Sequence, residues 1–326
     1  MTFRFVLEES SWANAYNSDA LTNAIDQFLE RLDLARERNE HVVRQEGFYS
    51  VNLGGGVELH SALFESTTCP LQLDHDRGQR LRLMLDRTGT FSDEELEHYD
   101  VEFDGKNQFA PEVAWAHAEC HKNRNVAVLP LPLGDVPQGN VPVSVAGVEC
   151  ELHFVTRECH HVGFFRSAIQ LENANEQEFE RLARSAFPAL KWADSVWSGL
   201  GDFSRPYIEV RNELILCLGG LNDHGANCFH ERHLDGDLSK LPSVLSARVG
   251  FKTSDENGRT KRFPPARRDR TRRHRGTDRV FWWHAKLKPN VDRVYFLYES
   301  PVARSAPNDH GRIVVGLFKH HCILPN

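Results

Sequence analysis

The chain has 326 residues, of which 40% are hydrophobic and 26% charged, with a formal net charge of −7. That length suits one large domain or two ordinary ones, and the balance excludes a disordered chain. No apolar run reaches the ~18 residues that a membrane helix needs, so no membrane partner is expected.

The opening Met1-Thr-Phe-Arg-Phe-Val-Leu-Glu-Glu turns acidic too early for a secretory signal and reads as a first β-strand. The cytoplasm is therefore the expected address. The seven cysteines, Cys69, Cys120, Cys150, Cys159, Cys217, Cys228 and Cys322, are odd in number and scattered, which predicts free thiols in a reducing compartment.

Ser18 is placed to cap a helix through Leu21, Ile25, Phe28, Leu29 and Leu32, whose three- and four-residue steps bury one face. Gly54-Gly55-Gly56 marks a turn, and Ser92 to Glu95 has the pattern of a capping box. Pro111 opens a helix through Ala114, Trp115 and Ala118. Residues 125–132 read as a strand stopped by prolines, and 141–156 as a hairpin about Ala146-Gly147. Glu176–Phe187 keeps a helical rhythm. Tyr207–Leu218 fits a helix ended by Gly219-Gly220, or a strand, since its apolar residues also alternate. Beyond Leu241, the stretches Val244–Lys252, Val280–Leu287, Arg293–Tyr298 and Arg312–Phe318 read as strands, with Pro289-Asn290 and Pro301–Gly311 as connections. The expected fold class is α+β. A mixed α/β body spans residues 1–235, with a helical layer over 160–235. A C-terminal antiparallel sheet spans 236–326 and carries a basic loop at 258–279.

That loop dominates the charge distribution. Between Arg259 and Arg279 stand ten Lys or Arg and two Asp, a local charge of +8, so the rest of the chain carries −15. With two prolines and few core-forming residues, it reads as a flexible loop. Lys261, Arg262, Arg267, Arg268, Arg270, Arg272, Arg273, Arg275 and Arg279 are the candidate nucleic-acid contacts, because the guanidinium fork grips phosphate and stacks on bases. RNA and DNA are not distinguished by such a run, and an acidic protein partner would suit it too.

Strand alternation at 280–288 places Phe281, Trp283, Ala285 and Leu287 on one side and Trp282, His284, Lys286 and Lys288 on the other. With Arg293, Tyr295, Arg312, His320 and His321 from the last strands, this face has the residue types of metal-independent RNA cleavage. Such cleavage needs an acid, a base and cations around the phosphorane. His284, His320 and His321 are the proton-transfer candidates, and Lys286, Arg293 and Arg312 the phosphate holders.

Arg293-Val-Tyr-Phe followed by Gly311-Arg-Ile-Val-Val-Gly-Leu-Phe-Lys-His-His321 resembles the closing strands of RelE/ParE-type bacterial toxins. The resemblance covers only the part from about Leu241 onward. It implies a curved antiparallel sheet with a basic, His- and Tyr-bearing face acting on messenger RNA. It also implies attachment to a larger regulatory or recognition body, as in bacterial phage-defence and toxin loci.

His117 and His121 share a helix face, and Cys159-His160-His161 follows a predicted strand. His224, Cys228, His230 and His233 form the best candidate zinc group, yet no paired Cys-x-x-Cys spacing occurs, so no metal and no cofactor are expected. No phosphate-cradling glycine loop or serine nucleophile elbow is present. Three functions remain open. The first is a nucleic-acid-binding subunit or accessory factor with a protein partner. The second is a metal-independent ribonuclease. The third is an interaction subunit for an acidic protein.

Overall fold

The structure, a computed structural model, describes residues 3–13, 15, 20–65, 73–92, 96, 100–103, 105–235, 238–287, 291–301 and 310–325. Ser18, Cys69, most of the Ser92 to Glu95 box, Lys288, Pro289-Asn290 and most of the Pro301–Gly311 connection lie outside them. The chain divides into two compact units, Met1–Glu172 and Asn173–Asn326. The helices after residue 173 thus belong with the C-terminal sheet, whereas composition had drawn the division near residue 235. No described helix is long and apolar enough to cross a membrane.

The first unit contains β1 (Phe3–Leu7), α1 (Leu21–Glu37), β2 (His41–Gln45), α2 (His75–Asp86), β3 (Gly89–Phe91), β4 (Asp100–Phe103), β5 (Lys106–Phe109), α3 (Pro111–His121), β6 (Ala127–Leu129), β7 (Gly139–Val145), β8 (Val148–Phe154) and α4 (Glu158–Leu171). One sheet runs β3-β2-β1-β6-β8-β7-β4-β5, parallel from β3 to β8 and antiparallel beyond. Neighbouring residues of a strand face opposite sides, and β1 uses both. Val6 joins Val113, Ala114 and Ala116 of α3 in one apolar cluster. The Phe5 ring meets Phe164 and Phe165 of α4. The expected hairpin closes through Ala146 and Gly147, with φ of 50° and 79°, as a two-residue turn with both φ positive requires.

The second unit contains α5 (Glu176–Ala186), β9 (Lys191–Trp192), α6 (Tyr207–Gly220), α7 (Ala226–Asp235), α8 (Leu241–Val249), β10 (Thr253–Ser254), α9 (Gly258–Arg262), α10 (Pro264–Asp269), β11 (Thr271–His274), β12 (Thr277–Val280), β13 (Trp283–Lys286), β14 (Arg293–Glu299) and β15 (Arg312–Lys319). β10-β13-β14-β15 form an antiparallel sheet, β9 adds a parallel edge, and β11-β12 form a separate hairpin. Asn175 and Glu178 close a reciprocal capping box on α5.

Two expectations are corrected and one is refined. Val244–Lys252 is no strand. Leu241, Leu245 and Val249 bury one stripe of α8, Pro242 sits in its first turn, and Gly250 ends it with left-handed φ. Gly219-Gly220 closes α6 without breaking the helical course, since Gly220 keeps right-handed φ and a π-turn at Leu221–Gly225 follows directly. A Cβ on Gly220 would lie 2.5 Å from the Val249 carbonyl oxygen, so its glycine permits close approach to α8. The basic segment is not a flexible loop but α9, α10 and the β11-β12 hairpin. Arg270 anchors it. It is fully buried, donates to the carbonyls of Ala266 and Ile323, and reaches Glu256 at 2.7 Å. Its two terminal nitrogens are thus bonded while Nε has no partner, and this buried guanidinium supplies the anchor that few apolar residues could.

Candidate nucleic-acid interface

Nine of the ten cations of the basic segment, all but Arg259, separate into two groups. Arg270 pairs with Glu256, and Lys261 with Asp255 at 2.6 Å. Arg272 turns back onto the carbonyls of Asp269 and Thr271. Among the described residues, Arg262, Arg267, Arg268, Arg273, Arg275 and Arg279 are exposed with no carboxylate in ion-pair contact.

Hairpin register aims part of the second group. Arg272 stands opposite Arg279, so the two share a face with His274, two residues from Arg272. His274 is buried, its Nδ1 3.1 Å from the Trp192 carbonyl and its Nε2 3.9 Å from Glu299. That face therefore turns toward the sheet. Like charges directly opposite cost stability. Between the hairpin and the β14-β15 edge lies a cleft of about 590 Å³ lined by Arg275, Arg279, Val280, Leu297, Tyr298, Glu299, Ser300 and Arg312. Among the described residues, three guanidinium groups thus face one carboxylate, Glu299, which stands opposite Arg312 and 3.9 Å from it. The surplus of positive charge suits a phosphate-bearing ligand.

A second pocket, about 490 Å³, shares Val280, Leu297 and Tyr298 with the first and adds Phe229, Leu241, Pro242, Trp282 and Trp283. Phe229 stacks on Tyr298 at 4.8 Å and meets Trp283 edge-on at 5.1 Å. Trp282 and Trp283 are half-buried, so each keeps surface for a further flat ring.

The candidate catalytic residues are only partly brought together. His284 stands opposite Tyr295, and Lys286 opposite Arg293, so all four share one sheet face as alternation predicted. That face is covered. Tyr295 is fully buried, its hydroxyl accepting from the Cys322 backbone N–H, and the Arg270 guanidinium lies 5.6 Å from its ring. His284 is 5% exposed, with Nε2 3.0 Å from Ser254 Oγ and Nδ1 3.7 Å from Glu256. Burial, then the charges of Arg293 and Lys286, push its pKa down to about 3. Arg293 is 8% exposed, with Nε and one terminal nitrogen lacking hydrogen-bond partners. Lys286 has its pKa lowered by burial and by Arg293. Arg312 sits at the other end of β15, in the arginine cleft. Past that strand, His320 faces the Asp202 carbonyl and His321 the Cys322 carbonyl.

Among the described residues, His224, Cys228 and His230 of the candidate zinc group do not converge as metal ligands. Cys228 is buried, His230 stacks on His310 at 4.6 Å, and the His233 side chain lies outside the described residues. Sequence reasoning missed Glu299 and Phe229 as neighbours of the cleft, since their places depend on strand register and helix packing. No family model matches the chain, and neither a curated protein nor a solved structure matches it.

Proposed function

We propose that the protein binds single-stranded nucleic acid through its second unit. The observation that carries this is the cleft in which, among the described residues, Arg275, Arg279 and Arg312 face the single carboxylate of Glu299. Phosphates would occupy that cleft, and the exposed Arg273, Arg267 and Arg268 would extend the positive track. The adjoining pocket of Trp282, Trp283 and Tyr298 favours a single strand, because unpaired bases offer their faces for stacking and paired ones do not. Binding rather than cleavage is the proposed activity. The burial of His284 and Tyr295 beneath the basic segment and the C-terminal tail supports binding over cleavage.

The test is fluorescence anisotropy with labelled single-stranded RNA, single-stranded DNA and duplexes of one length, over a salt series. Single strands are expected to bind more tightly and to be recovered intact. Each phosphate contact on a single strand contributes about 0.7 to the log–log salt slope. Replacing Arg275, Arg279 and Arg312 together by Gln should therefore flatten that slope by about 2. Unchanged affinity and slope in the triple variant would refute the assignment.

A further inference from the structure

We propose that His117, His121 and Cys150 of the first unit form a binding site for a zinc-class transition-metal ion. The site shares no residue with the nucleic-acid reading and stands without it. His117 and His121 lie one turn apart on α3, on the same face. Their Nε2 atoms are 3.4 Å apart. Two nitrogens bound at about 2.0–2.1 Å to a tetrahedral zinc stand roughly 3.3–3.4 Å from each other, so the pair already has the edge that the ion requires. β8 brings the Cys150 sulfur to them, and the three ligand atoms all lie within 4.8 Å of one another. A nitrogen–sulfur edge at such an ion is roughly 3.6 Å, from the same bond lengths. The thiolate has only to close by an ångström or so, at a half-buried position.

The donors also select the ion. Two imidazoles and a thiolate suit zinc, cobalt or copper, and they disfavour magnesium and calcium, which take oxygen. Two hydrogen bonds oppose binding, one made by His117 and one made by the Cys150 thiol to Cys120. His117 Nε2 lies 2.9 Å from the Val148 carbonyl oxygen. Coordination moves the imidazole proton from Nε2 to Nδ1, releases that carbonyl, and sends the Cys150 thiol proton to solvent. Two neutral hydrogen bonds are small against the formation of three metal–ligand bonds. Cys120, hydrogen-bonded to Cys150, is the nearest further thiol and is not needed for the set. Its partner Asn125 Oδ1 lies 3.5 Å away.

The test is a cobalt(II) titration of the full-length, chelator-stripped protein, kept reduced with a phosphine. The expected result is a near-ultraviolet thiolate-to-cobalt band together with the visible bands of tetrahedral cobalt, saturating at one equivalent and erased by zinc. Cys150→Ser should abolish the thiolate band, and Cys120→Ser should keep it. His121 is exposed, so His121→Ala leaves the core intact, as circular dichroism would verify. That variant should weaken cobalt retention roughly tenfold or more. Absence of the thiolate band in the unaltered chain would overturn the site, and so would its survival in Cys150→Ser or undiminished retention in folded His121→Ala.

Discussion

Arg270 and Glu256 meet at 2.7 Å with side chains 0% and 9% exposed, and with Lys319–Asp269 and His274–Trp192 this pair holds the basic segment against the sheet. Truncating one member of a buried pair leaves the other charge stranded, at a cost of about 3–5 kcal/mol. Arg270→Ala should lower the denaturation midpoint accordingly. The exposed Arg267 and Arg268 offer a contrast. Replacing both by Ala should change stability by no more than about 0.5 kcal/mol per site, and chemical denaturation of the two variants side by side measures the difference.

His284 should make stability fall in mild acid. Its folded pKa, about 3, is depressed below the ordinary histidine value of 6.5. The unfolded chain therefore binds the proton first as pH drops. The stability its neutral form contributes is fully present above about pH 6.5 and is lost progressively toward pH 3. The slope from this group approaches 1.4 kcal/mol per pH unit. Thermal unfolding from pH 7 to pH 4 should show that decline. His284→Gln, which keeps a neutral hydrogen-bonding group beside Ser254, should flatten it. An equal decline in the variant would place the acid sensitivity elsewhere.

These two residues also show what sequence alone could reveal. Alternation put His284 and Lys286 on one face because a strand has a period of two, and that held. Burial was out of reach, since the cover comes from Glu256, Arg270 and Cys322, each distant in sequence. The charge surplus of the basic segment was legible, but its division was not. Arg270 and Arg279 are the same residue type, and only register and packing send one inward and the other to a cleft. The misread α8 has a simpler cause. The β-branched Val244 and Val249 suggested a strand, while the four-residue spacing of Leu241, Leu245 and Val249 carried the stronger helical signal. The His117–His121 pair could be read from a helix, whereas Cys150 needed the path of β8.

Gly220 separates two opposing effects. In a helix, alanine is favoured over glycine by about 1 kcal/mol. Here a Cβ would stand 2.5 Å from the Val249 carbonyl oxygen and 2.7 Å from its Cα, both backbone atoms that cannot swing aside. The clash should win, and Gly220→Ala should destabilise the second unit by about 1–3 kcal/mol. A urea midpoint that rises in this variant would show that α6 and α8 separate readily.

Glu112, at the start of α3, should give the opposite pH signature to His284. Its carboxyl is 1% exposed, and one oxygen accepts from the Glu9 backbone N–H at 3.0 Å while the other has no partner. Burial first, and the nearby Glu8 second, raise its pKa to about 8. A carboxyl raised above its unfolded value keeps its proton in the folded chain while the unfolded chain has released it. The stability it contributes is therefore complete below about pH 4.5 and is lost as pH climbs to 8. The loss approaches 1.4 kcal/mol per unit within that window. Glu112→Gln removes the titration and keeps an acceptor for the Glu9 N–H. The variant should match the unaltered chain near pH 5 and exceed it in melting temperature at pH 8. A variant less stable at both pH values would mean that the ionised carboxylate, rather than its protonated form, is what the folded chain holds.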